Sequence, residues 1–212
     1  MSFDARFEVG YNFLMTYKFL GLGNAGVKYQ GTRHNLGQEA VIRLKEYWEE
    51  LSSEKNNWRQ VGRYPLWQVG CQTKEEVPVD LFLPETFMNR TGPDLAGFWS
   101  QIDLEKLVVV YDDLALPLGR LKIDFGRSSG GHRGLESIIQ ATGTGDFVRF
   151  RLGIAPGPQT DHVSFEGCGR DFVLSRFFSS EVQVLERFWP QVFSAAETLV
   201  AEGLGSAQNK FN

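Results

Sequence analysis

Two side chains in this 212-residue sequence have the type and setting for proton chemistry near neutral pH. His34 stands directly before Asn35, and Asn35 with Gln38 three positions on reads as a capping-box-like helix start. The positive end of a helix disfavours imidazolium, and a neutral ring is what a general base requires. A histidine in that place more often caps the helix or faces solvent. Asp112 shifts the balance. It follows Leu107-Val108-Val109-Val110-Tyr111, an unbroken apolar, β-branched run expected for a central strand covered on both faces. Open α/β sheets bind ligands at the carboxyl ends of such strands. An aspartate bonded to one ring nitrogen fixes the tautomer and leaves the other nitrogen to take a proton. With no convincing serine or cysteine nucleophile, water is the natural attacking group. Asp112 and Asp113 could pair around a metal, but no further ligand cluster accompanies them, so no metal is expected.

Two glycine motifs invite other chemistry. Gly21-Leu22-Gly23-Asn24-Ala25-Gly26 matches the dinucleotide fingerprint after a strand. Gly31 then interrupts the helix that should open there, and the acid about 20 positions on, Glu46, falls inside a helix rather than at a strand end. The glycines better suit a sharp turn that presents Asn24 to a cleft. Gly126-Arg127-Ser128-Ser129-Gly130 matches the nucleophile elbow of serine hydrolases. Its triad would need His132, which is close along the chain, or His162 beside Asp161. A Ser128-based esterase therefore stays open, against a Gly/Ser loop that cradles phosphate or gates a cleft.

These residues need a frame, and the patterns supply one. Strands are expected at 17–20, 66–72, 79–83, 107–111, 118–125 and 147–154. Helices are expected from Leu36 to Leu51, where Leu36, Ala40, Val41, Leu44, Trp48 and Leu51 share a face, and at 95–99 and 135–141. A long amphipathic stretch from Ser180 to Leu204, kinked at Pro190, closes the chain. Segments 52–57 and 156–169 read as loops. Strands alternating with helices predict a single three-layer α/β domain over 17–212 with a mostly parallel, mixed sheet. Residues 1–16 read either as a dispensable extension or as the product of an upstream start codon, with Met15 just before the first strand as the alternative start. They lack a signal peptide's basic and apolar regions.

Composition excludes several classes. The chain is 42% hydrophobic and 23% charged, enough for one sizeable core and too mixed for disorder. No run approaches the roughly 18 apolar residues that span a bilayer. Cys71 and Cys168, without CxxC spacing, read as reduced cytosolic thiols. The net charge of −4 argues against wholesale nucleic-acid binding, yet it is uneven. Between Arg120 and Arg151 six basic residues (Arg120, Lys122, Arg127, Arg133, Arg149, Arg151) face three acidic ones, so this window is +3 and the remainder −7. That is either chance clustering or a local phosphate patch.

The motifs together resemble a known family. Residues 21–26 with Tyr29 and Thr32-Arg33-His34-Asn35 are similar to the amino-terminal signature of bacterial-type peptidyl-tRNA hydrolase. Pro84-Glu85-Thr86-Phe87-Met88-Asn89 with Thr91-Gly92, then Asp112-Asp113-Leu114 with Leu116-Pro117 and Gly119, resemble its second and third motifs. Gly130-Gly131-His132-Arg133-Gly134-Leu135 and the strand from Arg149 resemble the rest, in order, across residues 17–205.

The resemblance implies a monomeric, cytoplasmic, cofactor-free esterase of phosphorylase/hydrolase-like fold that cuts peptide from tRNA. His34 would activate water and Asp112 orient it. Asn24, Tyr29 and Asn89 would hold peptide and ester, and Arg151, with Lys122, Arg127 or Arg149, would grip tRNA phosphates. Splicing-factor relatives on the same fold bind RNA without needing hydrolysis. Two positions depart from the family pattern. Arg133 stands where asparagine is usual, and Asp124 where a phosphate-binding lysine is common. An arginine has no acceptor, so Arg133 is expected to turn towards RNA.

Overall fold

The computed structural model describes residues 16–52, 55–156 and 169–212. In chain order its elements are β1 (Tyr17–Gly21), α1 (Leu36–Ser52), β2 (Arg59–Gln60), β3 (Leu66–Gln72), β4 (Pro78–Pro84), α2 (Thr91–Asp94), α3 (Ala96–Trp99), β5 (Leu107–Pro117), β6 (Leu121–Phe125), α4 (Arg133–Thr142), β7 (Val148–Ala155), α5 (Arg170–Val173), α6 (Ser179–Glu202) and α7 (Leu204–Phe211). The strands form one sheet in the order β2-β3-β4-β1-β5-β7-β6. The central four run parallel, and the pairings outside them are antiparallel.

Helices cover both faces of that sheet. On one side Phe19, Val108, Val110 and Phe150 pack against Leu44 and Trp48 of α1 and Leu185, Phe188 and Val192 of α6. On the other, Leu20, Val109 and Tyr111 meet Leu95, Phe98, Leu135 and Ile138. Double coverage is why the first half of β5 reads as continuous hydrophobics rather than an alternation. The three-layer α/β expectation describes the molecule, with a parallel centre and antiparallel flanks.

One contact sets the position of His34. Helix α1 approaches β5 so closely at Gly37 that a Cβ there would run into the Val110 carbonyl oxygen. Only glycine permits this, and it brings the residues just before α1 over the end of β5.

Several expectations are corrected. The Asn35–Gln38 pair does not form a capping box. Asn35 belongs to a 3₁₀ turn (Arg33–Asn35), and its side chain reaches back to the glycine loop, accepting from the Asn24 amide and donating to the Asn24 carbonyl, both at 2.9 Å. Strand β6 begins at Leu121 because Pro117 to Arg120 makes a turn, closed by the Arg120 amide on the Pro117 carbonyl with Gly119 at φ +81°. The helix expected at 95–99 is two single turns parted at Leu95. The closing stretch is helical from Ser179 to Glu202 with Pro190 inside it, and after Gly203 the separate α7 follows.

Cys71 is buried and free, its thiol pushed up to about 12 by burial. Cys168, Asp161, His162 and the 1–15 extension lie outside the described residues. Thr16 is tied to the fold: its hydroxyl donates to Asp80 at 3.2 Å. Among the described residues no helix is long and apolar enough to cross a membrane.

Candidate active site

The carboxyl ends of β1, β4 and β5 open into a cleft lined by Asn24, Tyr29, His34, Asn89, Asp112 and His132, among others. Asp112 ends the buried half of β5 and is 3% exposed. His34 Nδ1 lies 2.9 Å from both of its oxygens. The carboxylate holds the proton on Nδ1, which leaves His34 Nε2 with its lone pair free. Burial alone would raise the Asp112 pKa. Hydrogen bonds from His132 and His34 outweigh it and hold the carboxyl at about 2.

His132 is the residue that sequence reasoning passed over. The motif from Gly126 to Gly130 offers it only as a partner for Ser128, yet it stands at the start of α4 much as His34 stands just before α1. Its Nδ1 caps α4 by accepting the Leu135 amide at 3.2 Å. That places its proton on Nε2, which points at Asp112 Oδ1, 3.4 Å away. The two imidazoles meet edge to face, 5.2 Å between centroids, and the Tyr111 ring packs on His132 at 4.8 Å. Its signal was the Gly-Gly pair before a helix start, which gives this histidine its approach: Gly130 and Gly131 both take positive φ.

The two asparagines differ. Asn24 is nearly buried, and its Oδ1 accepts the Met88 amide at 3.1 Å, so its amide hydrogens are left to donate. Asn89 lies in the 3₁₀ turn Met88–Arg90, exposed on the cleft wall. Beside it Tyr29 and Phe87 pack edge to face at 5.9 Å, with the Lys28 ammonium over the Tyr29 ring. Together these make an amide-bearing, aromatic-walled channel leading to His34.

The basic window is where the structure departs most from expectation. Arg151 donates to Asp113 at 2.6 Å and to Asp124 at 2.5 Å, so its charge is spent inside the wall. Asp124, at the position noted for a missing lysine, is buried in that pairing. Arg149 is 1% exposed and bonded to backbone carbonyls, not available to a phosphate. The window's exposed cleft-lining cations are Arg127, 3.5 Å from Asp124, and Arg133 at the first position of α4, with no ion pair among the described residues. Lys122 is half-buried on β6, opposite Arg151.

Chemically, a carboxylate held by two imidazoles, one with its far nitrogen free, is a general-base arrangement. The same three groups offer ligand atoms within 4.8 Å of one another and could hold a cation. Their protons argue otherwise, since both ring N–H groups point at Asp112 and would have to leave first. Ser128 lines the cleft wall, but both described catalytic-type imidazoles are committed to Asp112 rather than to its hydroxyl.

A cleft at the carboxyl ends of parallel strands with a His–Asp pair inside it is an arrangement that α/β hydrolytic enzymes use. Comparison with known proteins narrows this. The peptidyl-tRNA hydrolase family matches residues 18–212. Curated peptidyl-tRNA hydrolases are similar throughout: that of Pseudothermotoga lettingae is 37% identical, covering 91% of this chain and 95% of its own. That of a Synechococcus strain is 39% identical over 91% and 81%. The crystal structure of peptidyl-tRNA hydrolase from Acinetobacter baumannii superposes with a TM-score of 0.78 at 27% identity, covering 96% and 97%. This chain belongs to the peptidyl-tRNA hydrolase family.

Proposed function

We propose that this protein hydrolyses the ester between peptide and tRNA in peptidyl-tRNA, and that His34 activates the attacking water. The observation that carries the mechanism is the Nδ1 contact with Asp112, because it presents a basic Nε2 to the cleft. Water bonded to Nε2 loses its proton as it attacks the ester carbonyl, and Asp112 stabilises the imidazolium that forms. The same proton then goes to the departing ribose oxygen. The Asn24 amide hydrogens, held in place by the Met88 bond, suit the developing oxyanion. Asn89, Tyr29 and the aromatic wall suit the peptide, whose backbone needs both donors and acceptors.

Arg133 and Arg127, exposed at the mouth, are the side chains suited to tRNA phosphates. In this reading the enzyme works as a cytoplasmic monomer without a cofactor. The test is direct. An N-acylated aminoacyl-tRNA and the same tRNA with a free amino group are incubated separately, and free tRNA is followed. Cleavage of the blocked ester alone supports the reading. Binding without cleavage would make the chain an RNA-binding relative, and hydrolysis of simple aryl esters lost on Ser128→Ala would restore the serine mechanism.

A further inference from the structure

Strand β7 buries a full positive charge that no carboxylate among the described residues pairs with. Among the described residues Arg149 has no ion pair, its side chain is closed off from solvent, and its Nε finds no acceptor. Leaving a guanidinium unpaired in a core is expensive unless other groups are arranged to receive it. Here they are backbone carbonyls. Nη1 donates to Ser128 at 2.6 Å, and Nη2 donates to Arg127 and, at 3.2 Å, to Gly145. The plane of the guanidinium lies near the Phe147 ring, 5.0 Å to the centroid. So one rigid fork joins the two ends of a loop and helix: the chain entering the Gly-Gly turn before His132, and the chain leaving α4 at Gly145.

The same guanidinium interacts with the Tyr111 hydroxyl. Burial pushes that phenol up to about 12, so it stays a neutral donor and acceptor. The Tyr111 ring in turn packs against His132 at 4.8 Å, and His132 points its Nε2 at Asp112. Arg149 therefore reaches His132 by two routes, through the backbone of the loop that carries it and through the ring that flanks it. A glycine-rich loop with Gly126, Gly130 and Gly131 all at positive φ has little stiffness of its own, and the fork supplies it.

We propose that Arg149 is a positioning residue for the reaction: it fixes the 126–132 loop so that His132 holds Asp112, and through it His34, in working order. The proposal rests on the hydrolase reading above. It gives Arg149 a role in turnover and none in RNA contact.

The experiment compares Arg149→Met, Arg149→Lys and Tyr111→Phe with the unsubstituted protein, measuring kcat and KM for an N-acylated aminoacyl-tRNA over a salt series. In parallel, the protonation pattern of the His132 ring is read by nitrogen NMR without substrate. Misplacing a reacting group by about 1 Å can cost about a hundredfold. The expected result is a kcat loss of about ten- to a hundredfold in Arg149→Met, with KM and salt slope unchanged. Arg149→Lys, which still offers donors to the carbonyls, should recover part of it. In Arg149→Met the His132 ring should lose its fixed Nε2–H form.

Tyr111→Phe keeps the ring and cuts one route, so it should show a smaller kcat loss and stays informative if Arg149→Met does not fold. A raised KM with a flatter salt dependence would overturn the proposal by making Arg149 a phosphate contact. Unchanged kcat and an unchanged His132 ring would overturn it by making the fork purely structural. An unsubstituted protein that fails to cleave would count against the hydrolase reading alone, with the ring measurement still deciding the positioning claim.

Discussion

Strands β5 and β7, neighbours in the sheet, treat their polar side chains in opposite ways. At β5 the bonds made by Asp112 point inward and the group they serve, His34 Nε2, is left facing the cleft. At β7 the bonds made by Arg149 and Arg151 are the whole use of those side chains, which end on carbonyls and carboxylates of the same molecule. Both regions hold charged residues beside one cleft. What separates them is whether a donor or acceptor is left over at the cleft, since the one unpaired group at β7, Arg149 Nε, is buried. Reactivity belongs to the region with a remainder, and rigidity to the region without one.

That contrast can be broken first at Asp112. An asparagine there would donate to His34 Nδ1 and push the ring proton onto Nε2, removing the base. Asp112→Asn should lose about 10²–10⁴-fold in kcat with little change in KM, comparable to the loss of a general base. The pH dependence sharpens the point. Because the Asp112 carboxyl is held at about 2 when folded, it stabilises the fold above its ordinary unfolded value, and that contribution drains away as pH falls from about 4 towards 2. Any acid limb in kcat above pH 4 therefore belongs to another group. Stability that falls as steeply between about pH 4 and 2 in Asp112→Asn as in the unsubstituted protein, by denaturant melt, would contradict this.

At β7 the corresponding change should act on stability. Arg151→Met leaves Asp113 without its partner and the buried Asp124 with Arg127 alone, a loss of about 1–3 kcal/mol by denaturant melt. The salt slope of tRNA binding should stay as it was. A flatter slope at full stability would return Arg151 to the phosphate contacts the sequence suggested. The smallest effect is expected at Arg133, which has a charge left over. Arg133→Asn should raise KM several-fold and reduce the salt slope by about 0.7–0.9, one phosphate's worth, without abolishing hydrolysis. A large gain in kcat at constant KM would instead mark Arg133 as a catalytic handicap.

The same contrast explains what the sequence could disclose. Strand β3 is found at Leu66–Gln72, as its apolar pattern and flanks indicate, while β2, two exposed residues long, carries no pattern to see. His34 and Asp112 were legible because helix starts and ends of apolar strands have local signatures. Whether Arg151 was available to a phosphate was not. Its partners stand 27 and 38 positions away, and only the sheet register, Lys122 opposite Arg151 and Asp124 opposite Arg149, brings them to it. His132 was hidden for the same reason, since it caps α4 while its partner Asp112 lies 20 positions back on β5. Asn35 was misread because its acceptor was taken by the glycine loop rather than by its own helix.

The central claim is that the His34 base, held by Asp112 of β5, and no serine, drives hydrolysis. Single-turnover cleavage of an N-acylated aminoacyl-tRNA, run side by side for His34→Ala and Ser128→Ala at saturating enzyme, tests it most directly. The account predicts that His34→Ala loses about 10²–10⁴-fold in rate while still binding tRNA, with Ser128→Ala within about threefold of the unsubstituted protein. Near-full activity in His34→Ala, together with a dead Ser128→Ala, would contradict it.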